Sequence, residues 1–197
     1  MRNPGSLEAL IDALPPGAVL LLDEAYAEFM DDDRLSAERI DPRVIRLRTC
    51  SKVFGLAGAR IGYAIGTRAA CDTFGKIRLQ YGVSRNAQAG ALAALSASAF
   101  VDDVVRRTAA GRMEYAALGE RLGLPVHPSA TNFVLFDAGT RARAEALLAE
   151  LERRAVFVRK PGAAPLDRCI RVTVGTPPER AAFAAALEQA LAAIGGA

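Results

Sequence analysis

Thr49-Cys50-Ser51-Lys52-Val53-Phe54-Gly55-Leu56-Ala57-Gly58-Ala59-Arg60-Ile61-Gly62-Tyr63 is the stretch of this chain whose residue types could do chemistry. A lysine follows a serine, an arginine comes eight positions later (60 − 52), and glycines surround them with little other charge. Lysine gives up its water reluctantly, so a lysine in an apolar, glycine-rich run calls for a reason. Two chemistries supply one. A desolvated lysine near other cations becomes a nucleophilic amine able to form a Schiff base. Alternatively, glycine-rich backbone with lysine, serine and arginine at hand gathers N–H groups and a forked guanidinium around an anion such as phosphate. The plain alternative is a lysine at a strand end that points into solvent. The spacing is not that of a P-loop, because the required glycines do not precede Lys52, and Gly55, Gly58 and Gly62 do not match the dinucleotide fingerprint.

A second group of chemical residues precedes this one. Ala18-Val19-Leu20-Leu21-Leu22 is a continuous apolar run, as in a parallel strand buried on both faces, and it ends at Asp23-Glu24-Ala25-Tyr26. Functional groups of parallel sheets gather at the carboxyl ends of strands; the alternative is a helix start with acids in its first turn. Val44-Ile45-Arg46-Leu47-Arg48 alternates and delivers Thr49 to Lys52 just past its end. Ile61 to Gly66 reads as another short strand, close-packed because of its glycines. Asp23 and Tyr26 on one side, Ser51 and Lys52 on the other, therefore fall at the ends of strand-like runs, as an α/β site requires.

The remaining elements follow from breakers and periodicity. Asn3-Pro4-Gly5 marks an opening turn, and Leu7, Leu10, Ile11 and Leu14 recur at helical spacing until Pro15-Pro16-Gly17. Asp31-Asp32-Asp33 reads as an acidic surface turn and a poor metal site. Helices are expected over 69–79, 84–95 and 99–122, the last closed by Gly123-Leu124-Pro125 at a domain hinge. Beyond it the pattern predicts a strand over 131–136, a helix over 141–154, strands over 155–159 and 169–174, and a helix over 178–194, a small α+β domain.

Composition excludes several classes. The 197 residues are 51% hydrophobic and 24% charged, those of an ordinary globular protein. A net charge of +3 with scattered arginines shows no nucleic-acid stripe. Three cysteines (Cys50, Cys71, Cys169) lack metal or redox spacing, which points to a reducing compartment. The single histidine, His127, excludes a His-rich metal site and reads as structural. No apolar run approaches the roughly 20 residues of a membrane span, and no signal peptide opens the chain. The expectation is a cytoplasmic protein without nucleic-acid or membrane partners.

The Ser-Lys stretch resembles the pyridoxal-phosphate (PLP) lysine motif of fold-type I aminotransferases, most nearly the histidinol-phosphate aminotransferase group. The likeness includes Asp-Glu-Ala-Tyr at the end of a strand, Ser-Lys further on (52 − 23 = 29), and an arginine eight beyond that. Tyr81-Gly82-Val83-Ser84-Arg85-Asn86-Ala87-Gln88, Pro128-Ser129-Ala130-Thr131-Asn132-Phe133-Val134, Val156 to Arg159 and Ile170 to Thr176 are similar to later segments of the same enzymes. The resemblance implies an α/β fold of the PLP-dependent transferase type. Residues 1–98 would be the C-terminal part of the large PLP-binding domain, with its parallel sheet. Residues 99–197 would be a connecting helix and a small C-terminal α+β domain. It implies PLP as cofactor, with Lys52 as Schiff-base partner and proton carrier, Asp23 beside the pyridinium nitrogen, Tyr26 near O3′, and Ser51 and Arg60 on the phosphate. Arg171 would hold the substrate carboxylate or phosphate and Arg159 would lie near the substrate tail.

Family members are about twice as long, so the chain corresponds to their C-terminal half to two-thirds, and Asn3 is not assigned to the family's upstream asparagine. The implied activity is transfer of an amino group between histidinol phosphate or an aromatic amino acid and a 2-oxo acid, in a homodimer. Alternatives are a PLP-dependent decarboxylase of the threonine-phosphate type, or a truncated non-catalytic remnant serving as a structural or dimerisation module.

Overall fold

The computed structural model describes residues 6–30 and 40–195; Asn3-Pro4-Gly5 and Asp31-Asp32-Asp33 lie outside the described residues. The chain divides into two compact units, Met1–Asp103 and Val104–Ala197.

In the first unit, α1 (Ser6–Asp12) ends before the prolines and leads into β1 (Leu20–Asp23). β1 pairs in parallel with β2 (Val44–Thr49), and β2 pairs antiparallel with β3 (Gly62–Ile65), giving the order β1-β2-β3. Asp23 stands opposite Leu47 and Thr49 opposite Gly62, so both chemical segments leave the sheet close to one edge of strands. Gly62 is required by close approach, since a Cβ there would lie 2.6 Å from the Arg48 carbonyl oxygen. Two helices follow, α2 (Arg68–Ile77) and α3 (Arg85–Leu95). Thr67 and Ser84 cap them by accepting hydrogen bonds from the Ala70 and Ala87 amides.

The sequence expectation of a strand buried on both faces does not hold for β1. Leu20 and Leu22 are half-buried, but Leu21 is 61% exposed. Among the described residues β1 pairs only with β2, and the face of β1 that carries Leu21 is uncovered. β2 inverts the usual arrangement, since Arg46 is buried and the adjacent Leu47 is exposed.

α4 (Ser98–Leu122) runs across the division between the units. The second unit then adds β4 (Val126–His127), β5 (Phe133–Asp137), α5 (Arg141–Arg153), β6 (Cys169–Thr173) and α6 (Pro177–Gly195). Its sheet, ordered β4-β5-β6, is antiparallel throughout. Val134, Phe136, Ile170 and Val172 turn one face of that sheet toward Leu147, Leu151, Phe183 and Leu187 in a continuous buried core. Tyr115, Phe136 and Phe183 meet there with centroids 5.3–5.7 Å apart. Burial of Tyr115 pushes its phenol pKa up to about 12.

The strand expected over 155–159 is not formed. Ala155 takes a left-handed φ of 57° and the Val156 amide closes α5 by bonding to the Leu151 carbonyl. Among the described residues the segment's backbone pairs with the sheet only at the isolated bridge of Arg159 with Arg171. The two-residue β4 was not anticipated. Among the described residues no helix is long and apolar enough to cross a membrane.

Candidate functional site

β1 and β2 place the first group of candidate residues. Asp23 is the last residue of β1 and is exposed; one carboxylate oxygen accepts the Ala25 amide at 2.9 Å, forming a tight turn. Tyr26 follows, opening a 3₁₀ turn (Ala27–Phe29) that is anchored by the buried Phe29 ring. Ser51 and Lys52 emerge just past the end of β2. The half-buried Lys52 reaches back so that Nζ lies 5.2 Å from the centre of the Tyr26 ring, within cation–π range.

The loop between β2 and β3 is tied rather than open. The Cys50 amide bonds to the Ile61 carbonyl, the Leu56 amide to the Cys50 carbonyl, and the Gly55 amide to the Lys52 carbonyl. The Cys50–Ile61 bond closes the base of the loop, and Ser51 and Arg60 are the next residues inward from it on the two arms. Cys50 and Val53 fill its interior, with exposures of 0% and 1%. Arg60 holds φ 51° and ψ 48°, a left-handed conformation that costs a non-glycine residue about 1–3 kcal/mol. Its guanidinium is exposed and donates to the Ala57 carbonyl at 2.7 Å. Such strain gathers at sites where a side chain must be aimed.

Sequence reasoning missed a cluster of four charged residues in the same unit. The Glu24 carboxylate, 1% exposed, accepts the Arg46 Nε at 2.9 and 3.0 Å and the Arg48 Nε at 2.7 Å. Arg48 also donates to Glu28 at 2.8 Å. Burial would lower the Arg48 pKa, but Glu24 and Glu28 outweigh it and hold the pKa above its ordinary value. The signal available was the pair of arginines at alternate positions of an otherwise apolar strand, with two acids flanking Tyr26.

The other two candidates lie in the second unit. Arg159 and Arg171 pair through their backbones, each amide donating to the other's carbonyl, at 3.1 and 2.6 Å. The Arg171 guanidinium stacks over Phe133 with its carbon 4.9 Å from the ring centre, while Arg159 is exposed. Both line a cavity of about 360 Å³ together with Tyr115, Phe157, Thr173 and Glu179. Its arginines suit a carboxylate or phosphate. Elsewhere in this unit His127, Asp137 and Cys169 offer ligand atoms within 4.8 Å of one another, but Arg168 already holds the Asp137 carboxylate at 2.7 Å.

The donor set of the first unit fits a phosphate-bearing aldehyde. An amine lies half-buried over a phenol ring, an acid stands at the neighbouring strand end, and a hydroxyl and a guanidinium are carried by one tied loop.

Comparison with known proteins gives these residues a context. The family model described as aminotransferase class I and II matches residues 3–187. Histidinol-phosphate aminotransferase 1 of Cupriavidus pinatubonensis is 40% identical over 196 residues, covering 94% of this chain and 51% of that protein. Histidinol-phosphate aminotransferase of Jannaschia sp. is 37% identical, covering 98% and 54%. The crystal structure of histidinol-phosphate aminotransferase from Sinorhizobium meliloti in complex with pyridoxal-5′-phosphate superposes with a TM-score of 0.91 at 41% identity, covering 95% of this chain and 53% of that one. L-threonine-O-3-phosphate decarboxylase from Porphyromonas gingivalis shares the fold, with a TM-score of 0.77 at 24% identity. The chain spans about half the length of the curated relatives it matches. The fold expected from the sequence, part of a fold-type I PLP-dependent transferase, is the fold observed.

Proposed function

The chain belongs to the class I and II aminotransferase family, and we propose that the enzyme it forms part of moves an amino group from histidinol phosphate to a 2-oxo acid. The observation that carries this reading is the Lys52 amine 5.2 Å from the centre of the Tyr26 ring, with Lys52 just past the end of β2 and Asp23 at the end of the adjacent parallel β1. PLP, when bound, supplies an aldehyde and an electron-accepting ring. Lys52 offers the amine that holds it and afterwards carries the proton from the donor's Cα. Asp23 keeps the ring nitrogen protonated, and Tyr26 donates a hydrogen bond near the phenolic oxygen. Ser51 and the aimed Arg60 hold the phosphate. In the second unit, Arg171 and Arg159 supply cationic groups for the donor's anionic end, within a cavity lined by both.

Histidinol phosphate is favoured over an aromatic amino acid as donor because the similar curated proteins carry that name. A homodimer is supported by the large apolar side chains left open in the first unit, with Leu79 82%, Tyr81 92% and Leu92 70% exposed. A cytoplasmic setting is supported by three free cysteines, two of them buried.

The test is half-transamination of bound PLP by histidinol phosphate, followed by absorbance. The chain is assayed alone and with the remaining half of a similar histidinol-phosphate aminotransferase added as a separate polypeptide. Loss of a positioned group costs about 10²-fold, so the chain alone is expected near background and the mixture well above it. Absence of conversion in a correctly assembled mixture contradicts the proposed activity.

A further inference from the structure

Tyr26 is held over Lys52 by a segment that has already left the sheet. The last cross-strand backbone bond before it runs from the Glu24 amide to the Leu47 carbonyl, at 2.9 Å. The backbone bonds of the next residues are local, from Ala27 to Glu24 and from Phe29 to Tyr26, and fix the turn's shape rather than its place. The buried Phe29 ring gives the turn one anchor, and Arg48 gives it a directional one.

The Arg48 guanidinium comes from β2, four positions before Lys52 (52 − 48). Its Nε donates to Glu24 at 2.7 Å and its NH1 to Glu28 at 2.8 Å, so it grips the chain two residues before Tyr26 and two residues after it. All three side chains are largely out of water, with exposures of 14% for Arg48, 1% for Glu24 and 13% for Glu28. Buried ion pairs contribute little net stability compared with apolar packing, so conformational specificity is the better account of this one. A planar fork can serve two carboxylates at fixed angles, which a single ammonium cannot.

We infer that Arg48 is a positioning residue, which brackets Tyr26 through Glu24 and Glu28 and so sets the ring over the Lys52 amine. Its meaning for catalysis rests on the reading of Lys52 given above, whereas the bracket itself does not. Arg48 touches neither cofactor nor substrate in this account. It acts through Tyr26.

The chain has three lysines, Lys52, Lys76 and Lys160, which makes their relative reactivity a direct readout. Trace acetylation of the protein without cofactor, followed by peptide mass mapping, gives the Lys52 to Lys76 labelling ratio, with the exposed Lys76 on α2 as the internal standard. Arg48→Lys keeps the net charge and removes the fork. It is expected to raise that ratio about two- to five-fold, the size of a lost cation–π contact, with the circular dichroism unchanged. A folded Arg48→Lys protein with the wild-type ratio overturns the inference, since charge alone would then suffice. If Arg48→Lys does not fold, Glu28→Ala decides, because it removes only the second grip. A raised ratio there supports the bracket and an unchanged ratio refutes it. Borohydride reduction of the wild-type protein with PLP runs in parallel. A pyridoxyl label on Lys76 or Lys160 overturns the role given to Lys52 and leaves the bracket standing or falling on its own ratio.

Discussion

The two units of this chain differ in what is buried beside their candidate groups. In the second, Phe136, Leu124, Leu147, Leu151, Ile170 and Leu187 are all fully buried, and helices α5 and α6 cover one face of the sheet. In the first, β1 leaves Leu21 open, Ile77 is 77% exposed, and the most interior side chains beside the candidate site include Glu24 and Arg46. Apolar packing is non-directional and gives stability, whereas paired buried charges give direction and depend on every partner being present. The candidate amine, acid and phosphate ligands lie in the unit that holds the buried Glu24, Arg46 and Arg48 cluster. The arginine-lined cavity lies in the unit organised by packing. Residues that must be aimed are thus set among directional contacts, and residues that need only a fixed floor are set on a core.

The comparison breaks first at Glu24. Glu24→Leu leaves Arg46 and Arg48 without their shared carboxylate and is expected to cost the first unit about 3–5 kcal/mol. Peptide-resolved hydrogen exchange should show this loss in 20–30 and 44–65 while 124–190 keeps its protection. Equal loss in both units would contradict the division of labour. Leu147→Ala makes the converse case, removing fully buried methyls at an expected cost of about 2–5 kcal/mol confined to the second unit.

A smaller effect concerns acid. The hydrogen-bonded guanidinium of Arg180, at 2.7 and 2.8 Å, holds the Glu114 carboxyl below its ordinary range. A depressed carboxylate contributes stability that is complete above its unfolded pKa, about 4.3, and is lost as pH falls through the lower folded value. Denaturant titrations of the second unit should therefore weaken as pH drops below about 4.3, and Glu114→Gln should flatten that slope. The smallest effect is expected at Leu21, where replacement by Ser on an exposed strand face should change stability by no more than about 0.5 kcal/mol.

Much of this was legible in the sequence where local chemistry and local periodicity agree. Asp23 and Lys52 could be placed at strand ends because apolar runs stop immediately before each group. The helices were legible from breakers and periodicity, and the structure shows that Thr67, Ser84 and Thr140 cap three of them. What escaped depends on distant partners. Arg46 reads as a surface residue until a carboxylate 22 positions away in sequence is brought to it. Leu21 reads as core until its face of the sheet proves uncovered among the described residues. Val156 to Val158 have strand-forming side chains, but the left-handed turn at Ala155 and the closing bond of α5 take their first amide out of reach of the sheet.

The central claim is that Lys52 is the amine that holds PLP. Its most direct test is reduction of the protein with borohydride in the presence of PLP, alone and with the complementary half, followed by peptide mass mapping. The account predicts a pyridoxyl group on the peptide containing Ser51-Lys52, abolished by Lys52→Ala and more abundant when the complementary half is present. Labelling that persists at the same level in Lys52→Ala, carried by Lys76 or Lys160, would contradict it.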